Sequence, residues 1–188
     1  MRRLILQEWL SLDGFIADEN GKLDFFTTSE LNKYSDHDVL IFMENIDTIL
    51  LGRVTYELFA EFWPTATTDT EVIADKLNET QKIVFSNSLI KAPWGKWPDA
   101  QIIKGQAVNE VRNLKTKPGK NMVLWGCISL AQSLIKENLI DEYHLRICPT
   151  AVGAGRSLFP NMKDYFNLKL MEFKKYDSGL IFLHYESK

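Results

Sequence analysis

What this chain has little of narrows its function before any motif is read. Only two cysteines and three histidines occur among its 188 residues. Cys127 and Cys148 sit inside apolar runs with no CxxC spacing, so they read as reduced core residues rather than as a disulfide or a metal site. His37, His144 and His184 are scattered, with no i, i+4 pair; no metal ligand set is expected, and a zinc enzyme is set aside. An excess of positive charge is missing too. The 22 basic and 25 acidic residues leave a formal net charge of -3 and are well mixed along the chain, without the basic stripe that binding a phosphate backbone demands. Nucleic acid is not an expected partner. Long hydrophobic runs are also lacking: the most apolar window, MVLWGCISLA at 122–131, is far short of the roughly 20 residues that cross a bilayer, and the amino terminus has no signal-peptide pattern. The expectation is a cytoplasmic protein with no membrane partner. No Pro, Gly or Ser-rich linker and no repeat divides the chain, so one domain over 1–188 is expected.

What is present is an alternation. Apolar runs at 4–10, 48–51, 82–85, 101–103, 122–125, 143–148, 168–173 and 180–185 read as strands, the first five short and apolar enough to be buried on both faces. Helix-like segments at 31–45, 55–62, 70–78, 107–114 and 129–138 lie between them, which implies a largely parallel sheet with helices on both sides. After residue 141 three strands follow with no convincing helix, so an antiparallel extension at one edge is expected.

Two stretches place a glycine where an apolar strand ends and a helix begins. LLGRVTYE (50–57) and VLWGCISLAQSL (123–134) would each deliver backbone N–H groups and a helix amino terminus to the carboxyl edge of the sheet, a position that suits a phosphate. Arg53 and Thr55 add a charge and a hydroxyl to the first, and Ser129 is expected to cap the helix of the second. SLDGFIA (11–17) follows the first strand; Asp13 is an acid on the turn that closes over that strand's carboxyl end, although an Asp-Gly turn needs no function. DENGKLD (18–24) lacks the glutamate of a calcium loop, since the twelfth position is Ser29. Ser86 and Asn87 form a polar turn after KIVF. PTAVGAGRSLFP (149–160) has no third glycine and no following helix for a dinucleotide fingerprint, and reads as a loop lining a pocket.

Taken together, SLDGFIA, LLGRVTYE, VFSNSL, VLWGCISLAQSLIKENLIDEYHL and PTAVGAGRSLFP resemble the dihydrofolate reductase-like fold, and more specifically the reductase domain of the riboflavin-pathway deaminase-reductase in stand-alone form. The resemblance implies a three-layer α/β/α architecture with a mixed, mostly parallel central sheet and antiparallel C-terminal strands. It also implies an NADPH-dependent reductase of a small heterocyclic substrate, such as 5-amino-6-(5-phosphoribosylamino)uracil. A dihydrofolate reductase-like activity and a non-catalytic NADP(H)-binding module remain as alternatives. Gly52, Arg53 and Thr55 would hold the phosphate portion of the cofactor, Arg53 favouring the 2'-phosphate, with Ser86 and Asn87 flanking the adenosine end. Gly126, Cys127, Ile128, Ser129 and Leu130 would pass under the pyrophosphate, and Ile16 and Ala17 would sit near the nicotinamide. Asp13, from its place on the turn after the first strand, is expected as the catalytic residue that touches the substrate or the reacting end of the cofactor. Trp125, where the family often has a second glycine, and Gly153 and Gly155 would border the substrate. Glu30, Asp36 and Asp38 lie near the first long helix, but none falls in the motif that supplies the pterin's proton, which argues against folate as substrate. A homodimer is expected from the same resemblance.

Overall fold

The computed structural model describes residues 1–159 and 165–188. Its strands are β1 (Leu4–Leu10), β2 (Phe15–Asp18), β3 (Ile46–Gly52), β4 (Gln81–Phe85), β5 (Gln101–Ile103), β6 (Asn121–Trp125), β7 (Glu142–Ile147), β8 (Gly155–Ser157), β9 (Leu168–Lys175) and β10 (Ile181–Ser187). The helices are α1 (Ser29–Asn32), α2 (Asp36–Met43), α3 (Arg53–Phe62), α4 (Ala74–Glu79), α5 (Ala107–Thr116) and α6 (Ile128–Lys136). Eight strands form one sheet in the order β5-β4-β3-β6-β1-β7-β10-β9. The pairings from β5 to β7 are parallel, and β10 is antiparallel to both its neighbours.

Side-chain alternation explains the three layers. Leu4 and Leu6 of β1, Leu50 of β3 and Met122 and Leu124 of β6 point to one face, where Val111 of α5 and Leu134 and Ile135 of α6 cover them. Ile5, Ile49, Leu51 and Val123 point to the other, beneath Val39 and Met43 of α2, Tyr56 of α3 and Leu77 of α4. Each such leucine or isoleucine contributes about 1.5 to 3 kcal/mol by leaving water. The mostly parallel mixed sheet and its antiparallel C-terminal strands are those the sequence led us to expect.

Two segments differ from expectation. The 31–45 region is not one helix: α1 and α2 are separated by a turn at residues 33–35, where the buried Ser35 donates its hydroxyl to the Asn32 carbonyl at 3.0 Å. The stretches 11–17 and 149–160 are not simply loops, because β2 and β8 pair antiparallel as a two-stranded ribbon beside the main sheet. Pro160, at the end of the second stretch, lies outside the described residues. No helix among the described residues is long and apolar enough to cross a membrane.

Candidate functional site

A cleft of about 2040 Å³ opens along the carboxyl ends of the parallel strands. The amino termini of α3 and α6 form one side of it and the β2–β8 ribbon the other. The two glycine turns meet there. A Cβ built on Gly52 would stand 1.8 Å from Sγ of Cys127, and one on Gly126 would stand 2.7 Å from Oγ1 of Thr55. Both glycines line the cleft, and the lack of a side chain at each lets β3's turn and β6's turn pack against each other there. Gly126 and Cys127 are both left-handed, with φ of 59° and 60°, a conformation that costs a non-glycine residue such as Cys127 about 1 kcal/mol or more and tends to cluster at functional sites.

The consequence is that two helix amino termini stand side by side on the same cleft. Gly52 and Cys127 are the N-cap residues of α3 and α6, and neither helix has a side-chain cap. Ser129, expected to cap α6, instead sits within its first turn, its hydroxyl 4.0 Å from the Cys127 thiol. Ile128, Ser129 and Leu130 line the cleft, as do Arg53 and Thr55. Uncapped amino termini leave N–H groups and positive dipole ends for an anion. Burial holds the Cys127 thiol above its usual range, so it is a neutral group there and not a reactive thiolate.

Arg53 borders the cleft but has a partner: Nη1 donates to Oε1 and Oε2 of Glu57, one turn on, at 2.9 and 2.7 Å. Ser86 and Asn87 also border it. The Ser86 hydroxyl accepts from the amides of Ser88 and Leu89 at 3.2 and 3.1 Å, and Asn87 Oδ1 accepts from the Gly105 amide at 2.8 Å. Those oxygens shape the turn that forms this end of the cleft.

On the ribbon side, the buried Ile16 and Ala17 line the cleft together with Gly155. A Cβ on Gly155 would lie 2.2 Å from the Ala17 carbonyl, so only glycine permits the ribbon to close. Asp13, expected to touch the substrate or the reacting end of the cofactor, is not among the residues that line the cleft. Its carboxylate accepts from the Ser11 hydroxyl at 2.6 Å and from the amides of Val152 and Gly153 at 3.2 and 2.7 Å. These donors, the hydroxyl foremost, hold its pKa below the usual range. Asp13 and Gly153 thus tie the 11–14 turn to the 150–153 turn, and Gly153 stands outside the cleft with it.

The acids that do face the cleft are others. Glu8, on β1, is 4% exposed; burial pushes its carboxyl up to about 8, against a weaker pull from the Gly126 amide. Its Oε1 has no hydrogen-bond partner, and neither has the buried Nε2 of the adjacent Gln7. The Trp125 indole N–H donates to Gln7 Oε1, which turns the amide so that Nε2 is the atom left over. Trp125 therefore both lines the cleft and belongs to the core, with its ring 6.0 Å from that of Phe59. Asp36, at the start of α2, also lines the cleft; burial and the neighbouring Glu71 carboxylate raise it to about 6. Asp38 is turned away, bonded to Lys174 and Tyr176 at 2.6 and 2.5 Å. The sequence signal for Glu8 is an acid set inside the apolar run 4–10.

Comparison with known proteins agrees with this architecture. Residues 2–182 match the family of the RibD C-terminal domain. The uncharacterized protein YyaP of Bacillus subtilis (strain 168) is 34% identical over 186 residues, which are 98% of this chain and 94% of YyaP. Among solved structures, a putative riboflavin biosynthesis protein from Shewanella sp. PV-4 superposes with a TM-score of 0.73 at 24% identity, covering 99% of both chains. A diaminohydroxyphosphoribosylaminopyrimidine deaminase/5-amino-6-(5-phosphoribosylamino)uracil reductase from Thermotoga maritima gives 0.66 at 15% identity, over 100% of this chain and 57% of that one. At these identities the two structures speak to the fold. The chain belongs to the RibD C-terminal domain family.

Proposed function

We propose that this protein is an NADPH-dependent reductase of a small heterocyclic substrate, of the kind handled by the uracil reductase named for the Thermotoga structure. The observation that carries this reading is the pair of uncapped helix amino termini, α3 and α6, meeting at Gly52 and Cys127 on one cleft. That donor set fits a pyrophosphate: two positive dipole ends with the Arg53 guanidinium beside them. With its pyrophosphate held there, the cofactor would supply a hydride from its reduced nicotinamide.

The chain's own residues supply alignment and the proton. As hydride adds to the carbon of a C=O or C=N bond, the electron pair moves to the heteroatom, which takes a proton from a carboxyl group. Asp36 and Glu8 line the cleft with raised pKa values, so each holds a proton further toward neutral pH than an ordinary carboxyl. Gln7 lines the same cleft, its amide oriented by the Trp125 indole. The buried Trp125 ring and the half-buried Phe59 ring exclude water from the same space.

The test has two arms. NADPH and NADH are titrated against the fluorescence of the five tryptophans, three of which, Trp9, Trp63 and Trp125, line the cleft. NADPH oxidation is then followed with pyrimidine, pterin and quinonoid acceptors. The reading expects tighter NADPH than NADH binding, turnover with at least one acceptor, and a marked loss of turnover in Asp36→Asn. Tight NADPH binding without oxidation by any acceptor would favour a non-catalytic NADP(H)-binding module instead.

A further inference from the structure

A second cluster of chemistry-bearing side chains lies outside the cleft, on the strands that join the parallel and antiparallel parts of the sheet. His144 of β7 and His184 of β10 are register partners, with ring centroids 4.5 Å apart. Glu142, two residues before His144 and so on the same face, places Oε2 3.2 Å from Nε2 of His144 and 3.0 Å from Nε2 of His184. One ligand atom from each residue lies within 4.8 Å of the other two.

The 3.2 and 3.0 Å separations fall in the range that shared coordination produces. Two N or O ligands bonded at about 2.0 to 2.2 Å to one ion, at angles between square and tetrahedral, stand roughly 2.8 to 3.5 Å apart. Hydrogen bonding accounts for only part of the arrangement. His144 Nε2 is in hydrogen-bond geometry with Glu142 Oε2, but the buried Nε2 of His184 makes no hydrogen bond despite its 3.0 Å approach. A buried ring nitrogen left unpaired carries a desolvation cost. An ion at the point where the three groups converge removes it.

The surroundings suit one kind of ion. Arg3 Nε holds Glu142 Oε1 at 2.8 Å, which orients the carboxylate and leaves Oε2 available. The guanidinium balances the carboxylate, so the cluster offers two imidazoles and one oxygen rather than the several carboxylates that magnesium or calcium requires. Phe42 and Phe182 pack on the His144 ring at 5.1 and 5.3 Å, while His184 keeps 20% of its side chain accessible, an entry route. We propose that Glu142, His144 and His184 form a three-ligand site for a divalent transition-metal ion of the zinc type, with water or an added ligand completing the shell. It links β7 to β10 and is separate from the cleft, whose lining includes none of the three.

The experiment uses the full-length, untagged protein, stripped with a chelator, titrated with zinc chloride by calorimetry and checked for metal content after dialysis. The expected result is about one equivalent bound by the wild type, with affinity lowered at least about tenfold in His184→Gln and Glu142→Gln. The partly exposed His184 keeps the test decisive should Glu142→Gln fail to fold. Cobalt loading is expected to give visible absorption bands that His184→Gln loses. The proposal is overturned if the wild type retains no stoichiometric zinc, if His184→Gln binds it unchanged, or if binding is lost in Cys127→Ser instead.

Discussion

The thiol of Cys127 occupies the space that a side chain on Gly52 would need, 1.8 Å from the position of its Cβ. One residue ends β3 and the other starts α6, so this single contact sets how two helix amino termini stand relative to each other. Gly52→Ala is expected to force them apart. Overpacking of this kind costs about 1 to 3 kcal/mol, or roughly 2 to 12 °C in Tm for a chain of this size. In a Cys127→Ala background the sulfur is gone but Cβ of residue 127 remains 2.9 Å away, so part of the loss is expected to return. A calorimetric double-mutant cycle measures it; equal losses in both backgrounds would mean the two turns do not depend on each other.

Glu8 makes stability depend on pH in a definite direction. Its pKa is raised from 4.5 to about 8 by burial, so between those values the folded chain holds a proton that the unfolded chain has released. Stability is then fully present below pH 4.5 and declines as pH rises through about 8. The full effect is on the order of 5 kcal/mol. Glu8→Gln keeps the shape and removes the ionisation, so its stability relative to wild type is expected to increase from pH 5 to 9 and level off above. Urea unfolding across that range checks it, and a difference independent of pH would mean Glu8 is already ionised in the folded protein.

How far the sequence anticipates the structure depends on the distance over which each signal acts. LILQEWL, IDTILLG and NMVLW are apolar strands because they are buried on both sides, and that leaves its mark in the run itself. The turns at Gly52 and Gly126 are legible for the same local reason. The ribbon of β2 and β8 is not, because strands of four and three residues are too short to show a period of two. Nor is the partnership of His144 and His184: separated by 40 positions, they become neighbours only when β10 folds back on β7. The bonds from the Val152 and Gly153 amides to Asp13 are not legible either, because a carboxylate that satisfies backbone amides across a turn and one that faces a ligand look alike in sequence.

Arg53 is where the cofactor reading meets its strongest competitor, the exposed pair with Glu57. A surface i, i+4 pair contributes under about 1 kcal/mol, whereas charge-assisted hydrogen bonds to a phosphate contribute about 1.5 to 3 kcal/mol. A 2'-phosphate should therefore draw the guanidinium away from Glu57, at a small cost. On this reasoning Arg53→Ala is expected to weaken NADPH binding roughly 10-fold to 150-fold and NADH binding much less, because NADH has no 2'-phosphate. Glu57→Ala frees the guanidinium and is expected to tighten NADPH by no more than about fivefold, the equivalent of the lost pair. Dissociation constants for both cofactors with wild type and both variants, measured at one ionic strength, decide between the roles. If Arg53→Ala lowers NADPH and NADH affinity equally, or lowers neither, the guanidinium serves helix α3 alone and cofactor preference must come from another residue on the cleft.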